Sequence, residues 1–172
     1  MTCIVGVERA GKAYLACDSF LGNDSLADVV DRPKWFRLGS LLVAYAGSFR
    51  GPQVVQATSF RQRRREETPF DYLVRAFVPA VVAAYQRHSV RPSQRSEFLV
   101  ALDGQIYHVQ QEDGSVLRSR YGYTAIGAVA EVALGALGAS QELEPKEMLR
   151  KALRLALKHT TKVREPFHYV EV

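Results

Sequence analysis

The sequence predicts an α+β fold built as a four-layer αββα sandwich. Strand-like runs fall into two groups, one before residue 48 and one after residue 96, and each group is followed by helical sequence with a single apolar stripe. A one-faced sheet and a one-striped helix each need a partner. Two sheets packed together, each covered on its outer side by a helix pair, bury every stripe. The same order of elements also fits a simpler α+β domain.

Residues 3–8 and 12–18 are β-rich runs separated by Arg9, Ala10 and Gly11, a tight hairpin signal. A polar stretch over residues 19–31 contains Gly22, Asn23, Asp24 and Ser25, which are turn formers. After Pro33 and Lys34, residues 35–38 read as a short strand, and 41–46 as an apolar strand ending at Gly47. Helical sequence is expected over 48–67, finishing in the basic run Arg61, Arg63, Arg64 and Arg65. A second helix begins at Thr68 and Pro69; Phe70, Leu73, Val74, Phe77, Val78, Val81, Val82 and Tyr85 follow the spacing of one buried face. Pro79 inside that pattern should kink it or mark a boundary. Residues 97–102 and 105–110 flank Asp103 and Gly104, a two-residue hairpin turn, and Asp113 with Gly114 marks another. A strand over 121–126 ends at Gly127. Helical periodicity resumes at Val129, Val132, Ala133, Ala136 and Leu137, then over 145–160, and residues 167–172 close as a strand.

The 172 residues suit one domain, 1–172, since domains run to about 100–200 residues. Lys and Arg number 23 against 18 Asp and Glu, a net charge of +5 that permits an acidic partner without requiring one. The apolar runs are shorter than the roughly 20 residues of a membrane span, and the start lacks a signal-peptide pattern. With only Cys3 and Cys17, a reduced cytoplasmic protein is expected, with both thiols packed in the core. The four His show no metal-ligand spacing, and no glycine loop of nucleotide-binding type occurs, so neither a metal nor a cofactor is expected. The Arg61–Arg65 run is followed at once by Glu66 and Glu67 and has no aromatic interleaving. A solvated helix end or subunit contact is therefore favoured over nucleic-acid binding.

Chemistry concentrates at the start of the chain. If Met1 is removed, Thr2 has a hydroxyl and a free α-amine on one residue. That amine has a reference pKa of about 7.7–8.0 and can act as base for its own hydroxyl. Asp18 falls sixteen residues later, at the end of the second strand, and Lys34 sixteen beyond that. A buried ammonium beside the hydroxyl would favour its alkoxide-like form, and a carboxylate would orient the ammonium. Taken singly, Thr2 is an ordinary second residue, Asp18 a strand-end cap and Lys34 a surface lysine. Gly47 could let backbone N–H groups approach an oxyanion with no Cβ in the way.

Thr2-Cys3-Ile4-Val5-Gly6-Val7, the Gly11 turn, Ala16-Cys17-Asp18, Lys34 and Ala44-Tyr45-Ala46-Gly47-Ser48 together resemble the proteasome β-subunit family of N-terminal nucleophile hydrolases, above all its bacterial HslV-type peptidases. Ala125-Ile126-Gly127 before a small-residue helix, and Phe167-His168 before the last strand, extend the resemblance over almost the whole chain. It implies Thr2 as nucleophile, its freed amine as proton acceptor, Lys34 as activating cation, Asp18 as its partner and the Gly47 amide as oxyanion donor. It further implies a ring-shaped homo-oligomer acting on peptide or unfolded protein, a separate ATP-dependent unfoldase, and a substrate pocket walled by Leu21, Arg32, Tyr45 and Phe49.

Two departures support a rival reading. The family usually has a serine after the glycine matched by Gly127, where this chain has Ala128, and Thr161 and Arg164 stand where many members have Asp and Ser. Thr160 or Thr161 is the candidate replacement donor. The rival is a catalytically inactive assembly protein that keeps the fold.

Overall fold

The computed structural model describes residues 2–22, 27–110 and 112–172. The turn expected at Asn23, Asp24 and Ser25 lies outside them, as does Met1. β1 (Cys3–Arg9) and β2 (Lys12–Cys17) form the expected hairpin. After it come β3 (Phe20–Gly22), β4 (Ala27–Val29), β5 (Trp35–Leu38) and β6 (Leu41–Gly47). Helices α1 (Arg50–Gln56), α2 (Pro69–Tyr72) and α3 (Val78–Arg87) precede the hairpin of β7 (Ser96–Leu102) and β8 (Gln105–Val109). The chain then runs through β9 (Val116–Leu117), β10 (Tyr123–Gly127), α4 (Ala130–Gly138), α5 (Pro145–His159) and β11 (His168–Glu171).

Two antiparallel sheets carry the fold. One has the order β10-β1-β2-β11 and the other β5-β6-β7-β8-β9, with β3 and β4 as a separate two-stranded ribbon. Period-two alternation sorts their side chains into layers. Leu42, Ala44 and Ala46 of β6 join Ile4, Leu15, Leu99 and Ile126 in a core between the sheets. Leu41 and Val43 turn the other way, into a second core under α1 and α3 with Tyr72, Phe77 and Tyr85. Cys3, Val5 and Val7 face outward from β1 into a third core with Leu137, Leu149 and Leu153 of α4 and α5. Helix, sheet, sheet, helix is thus the layer order, as the sequence predicts.

Three local expectations need correction. The helix expected over 48–67 is confined to α1: Thr58 Oγ1 turns back to donate to the Val54 carbonyl, and the chain then leaves the helix. The Arg run would place Arg61 and Arg65 one helical turn apart, a like-charge pair that disfavours a helix. Instead Arg61 pairs with Glu67 at 2.6 Å, and its carbonyl accepts from Tyr72 Oη. The stripe from Phe70 to Tyr85 is not one buried face. Leu73, Phe77, Val81 and Tyr85 are buried, whereas Phe70, Val74 and Val82 are more than 40% exposed. Lastly, the polar stretch before Lys34 contains the β3–β4 ribbon, with Phe20 facing Val29.

Candidate active site

β1 and β2 pair so that Ile4 faces Cys17, which brings Asp18 against the beginning of β1. The carboxylate of Asp18 is fully buried and meets three donors. Its Oδ1 accepts the Cys3 backbone N–H at 2.9 Å and Lys34 Nζ at 2.8 Å, and Oδ2 accepts the Phe20 N–H at 2.9 Å. Cys3 N belongs to the peptide bond that leaves Thr2, so one oxygen links the ammonium to the backbone of the candidate nucleophile. Thr2 is 4% exposed, and the side chains of Asp18 and Lys34 are both 0% exposed.

Lys34 reaches this position from the other sheet. It immediately precedes β5, its N–H donates to Cys17 Sγ at 3.3 Å, and its carbonyl accepts from Tyr45 N on β6 at 3.0 Å. Around Asp18, Ser19 N donates to the Arg164 carbonyl at 2.9 Å and Ser19 Oγ to the Pro166 carbonyl at 2.5 Å. These bonds bring the C-terminal strap alongside the site.

The opposite flank of Thr2 is β10. Cys3 faces Gly127, and the Ala128 N–H donates to the Thr2 carbonyl at 3.0 Å. Gly127 has φ +99°, and a Cβ there would overlap the Thr2 carbonyl oxygen and lie 3.3 Å from the Ala46 Cβ. Only glycine allows this approach without strain. Gly47 follows Ala46 at φ +118°, with its Cα hydrogens toward the Arg95 carbonyl and Ser96 Oγ, where a Cβ would stand 3.2 Å from each. An open cleft of about 780 Å³ adjoins this flank, lined by Gly127, Ala128, Glu131, Lys158, Thr161 and Lys162 among others.

The structure therefore brings Asp18 and Lys34 together beside the first peptide of β1, and brings Gly127 and Ala46, the neighbour of Gly47, to its far side. The expected pocket residues divide. Leu21 is half-buried on β3 opposite Asp28, and Arg32 extends into solvent with Asp31 at 3.8 Å. Tyr45 lies on the helical face of β6, away from Ala46, with ring centroids 6.2 Å from Phe36 and 6.0 Å from Phe49. Thr160 Oγ1 donates to the Ala156 carbonyl and accepts from the Lys162 N–H, so this hydroxyl finishes α5, while Thr161 lines the cleft.

The pairing of Glu97 with His108 is not visible in the sequence, where His108 is one of four His without metal-ligand spacing. Glu97 Oε1 accepts the Gly127 N–H at 3.0 Å, and Oε2 lies 3.0 Å from His108 Nε2. The signal that could have found them is a polar residue at an inward position of each strand of the β7–β8 hairpin, among Leu99, Ala101 and Ile106. Among the described residues, no group of three or more His, Cys, Asp or Glu could hold a metal ion, and no helix is long and apolar enough to cross a membrane.

Two packed sheets with helices outside, and an N-terminal strand whose first residues meet a buried Lys–Asp pair, define a proteasome-like architecture. The family model for proteasome subunits matches residues 1–168, and the chain belongs to that family. Among solved structures it is similar to the Thiobacillus denitrificans BPH in complex with epoxomicin, with a TM-score of 0.83 at 18% identity, covering 99% of this chain and 98% of that one. It is also similar to eukaryotic HslV from Trypanosoma brucei, with a TM-score of 0.73 at 16% identity over 99% and 98% of the two chains. Anbu, an ancestral β-subunit from Yersinia bercovieri, gives a TM-score of 0.73 at 14% identity, covering 99% of this chain and 81% of that one. No curated protein matches the sequence.

Proposed function

We propose that the protein is an N-terminal threonine peptidase whose residues 1–172 make one domain, with Thr2 freed by removal of Met1. The observation that carries the reading is the Asp18 Oδ1 atom, which accepts from both Lys34 Nζ and the Cys3 N–H, with the Asp18 and Lys34 side chains fully buried. An ammonium fixed there favours the negative form of an adjacent hydroxyl. The α-amine of Thr2 takes the hydroxyl proton as Oγ1 attacks the peptide carbonyl. The Gly47 N–H steadies the oxyanion, and the protonated amine returns the proton to the leaving amine. Water, deprotonated by the same amine, then hydrolyses the Thr2 ester.

Family membership supports a ring-shaped homo-oligomer with peptide or unfolded protein as substrate, and a separate ATP-dependent unfoldase as feeder. The free buried thiols support a reducing, cytoplasmic setting. Leu21, Arg32 and Phe49 are proposed to wall the substrate pocket, with Tyr45 bracing Phe49 from behind. The inactive-assembly reading is favoured by the two departures from the family pattern, Ala128 in place of the usual serine and Thr161 with Arg164 in place of Asp and Ser.

Thr2→Ala separates the two readings. In a fluorogenic peptide assay it is expected to abolish hydrolysis and labelling by epoxomicin, the compound bound in the Thiobacillus structure, while the oligomer keeps its elution volume. Activity that survives Thr2→Ala refutes the mechanism, and an inactive wild type with Met1 already gone supports the assembly reading.

A further inference from the structure

The proposed machinery is divided between the two sheets. Thr2 and Asp18 belong to the four-stranded sheet, at the start of β1 and just after β2. Gly47 ends β6 of the five-stranded sheet, and Lys34 leads into β5 of that sheet. Much of the packing between the sheets at this end uses small apolar side chains such as Ala44, Ala46 and Cys17. Such contacts hold surfaces together without fixing direction. Asp18–Lys34 is one directional tie across the gap. Another is Glu97: it faces Ala46 across β6–β7, and its Oε1 reaches over to accept the Gly127 N–H at 3.0 Å. Gly127 is wedged between the Thr2 carbonyl and the Ala46 Cβ, so this bond sets the spacing of Thr2 from the β6 end that carries Gly47. His108 Nε2 holds the other carboxylate oxygen at 3.0 Å, and the two side chains are about three-quarters buried, at 25% and 29% exposure. A hydrogen bond to a carboxylate is about twice as strong as one between neutral groups.

We infer that Glu97, held by His108, is a positioning residue that clamps the two sheets together beside the nucleophile and keeps Thr2 in register with the Gly47 oxyanion donor. The inference rests on the threonine-peptidase reading. Glu97 contacts no reacting atom in this scheme and acts through Gly127. It fixes the same flank on which Ala128 offers no hydroxyl.

The test compares wild type, Glu97→Ala, Glu97→Gln and His108→Ala as full chains whose Met1 removal is verified by intact mass. Peptide kinetics are read beside hydrogen exchange at the Gly127 amide. A displacement of about 1 Å in reacting groups costs about a hundredfold in rate, so Glu97→Ala is expected to lose roughly 10- to 100-fold in kcat with KM within about threefold. Its Gly127 amide should exchange at least about tenfold faster, as for a lost hydrogen bond of about 1.4 kcal/mol. Glu97→Gln keeps an acceptor for Gly127 and should recover most of both quantities. A merely structural role would not split kcat from KM or be rescued in this way. Unchanged kcat in Glu97→Ala overturns the inference, and so does a loss that Glu97→Gln shares while Gly127 exchange stays at the wild-type rate. Should Glu97→Ala fail to fold, His108→Ala decides: a smaller kcat loss with faster Gly127 exchange supports the clamp, and no change in either overturns it. A wild type that neither hydrolyses peptide nor takes a threonine-directed label defeats the peptidase reading instead, while Gly127 exchange still reads the clamp separately.

Discussion

Lys34 can be buried only because Asp18 receives its charge and the carboxylate is itself satisfied by two backbone N–H groups. Removing one member of such a pair leaves an unpaired buried charge and typically costs about 3–5 kcal/mol, so its value lies in where it holds a charge rather than in net stability. The cysteines on either side behave differently. Burial first, then the Asp18 carboxylate, pushes the Cys3 thiol up to about 12; burial also pushes Cys17 up to about 12, against the lowering effect of the Lys34 N–H. Because both folded pKa values exceed the ordinary thiol value of 9.0, the native state binds these protons more tightly than the unfolded chain. The resulting stability is fully present below about pH 9 and is lost as pH rises toward 12. At pH 8 a disulfide reagent is expected to modify neither thiol in the native protein and both in urea, read by absorbance; rapid native labelling would contradict the assigned burial. Thr2, Asp18 and Lys34 were legible in the sequence only together, through their order along the chain and the resemblance to the proteasome β-subunit family. Glu97 and His108 were not, since their meaning depends on Gly127, thirty residues from Glu97 and in the other sheet.

The helical elements show where periodicity alone falls short. From Phe70 to Tyr85 every third or fourth residue is apolar, and the pattern reads as one wide stripe. In the fold, the row Leu73, Phe77, Val81 and Tyr85 (with Ala84) enters the core, whereas Phe70, Val74 and Val82 line an exposed row. Pro79 marks a boundary: the π-type turn Leu73–Phe77 ends just before it, and α3 starts at Val78 with Pro79 in its first turn, where a missing N–H donor is tolerated. Phe77 stacks on Phe60 with centroids 5.3 Å apart and meets Phe98 edge-on. Phe77→Ala should therefore cost about 3–5 kcal/mol in urea denaturation, and Val74→Ala no more than about 0.5 kcal/mol. Equal losses would mean that both rows are packed alike. The β3–β4 ribbon was hidden because each of its strands is only three residues long, whereas the β1–β2 and β7–β8 hairpins declared themselves through short turns between longer apolar runs.

Over the whole molecule, three stacked cores fix four layers, and the candidate site sits at the end of the seam between the two sheets. The layer order was legible because each strand group and each helix group presents one apolar face, and such faces have few ways to pair. Of the cross-sheet contacts, Glu97 to Gly127 follows from the stacking itself and leaves no local trace in the chain, whereas the pairing of Asp18 with Lys34 is implied by the family resemblance. They make the seam a place where groups from distant segments are held in fixed relation, which is what an amine, a hydroxyl and an oxyanion donor require to act together. Intact mass spectrometry of the natively expressed chain, followed by a threonine-directed covalent probe and peptide mapping, tests this account most directly. A chain lighter by one methionine, with a single adduct on Thr2, is the expected result. A chain that retains Met1, or a processed chain that takes no label at Thr2, would contradict it.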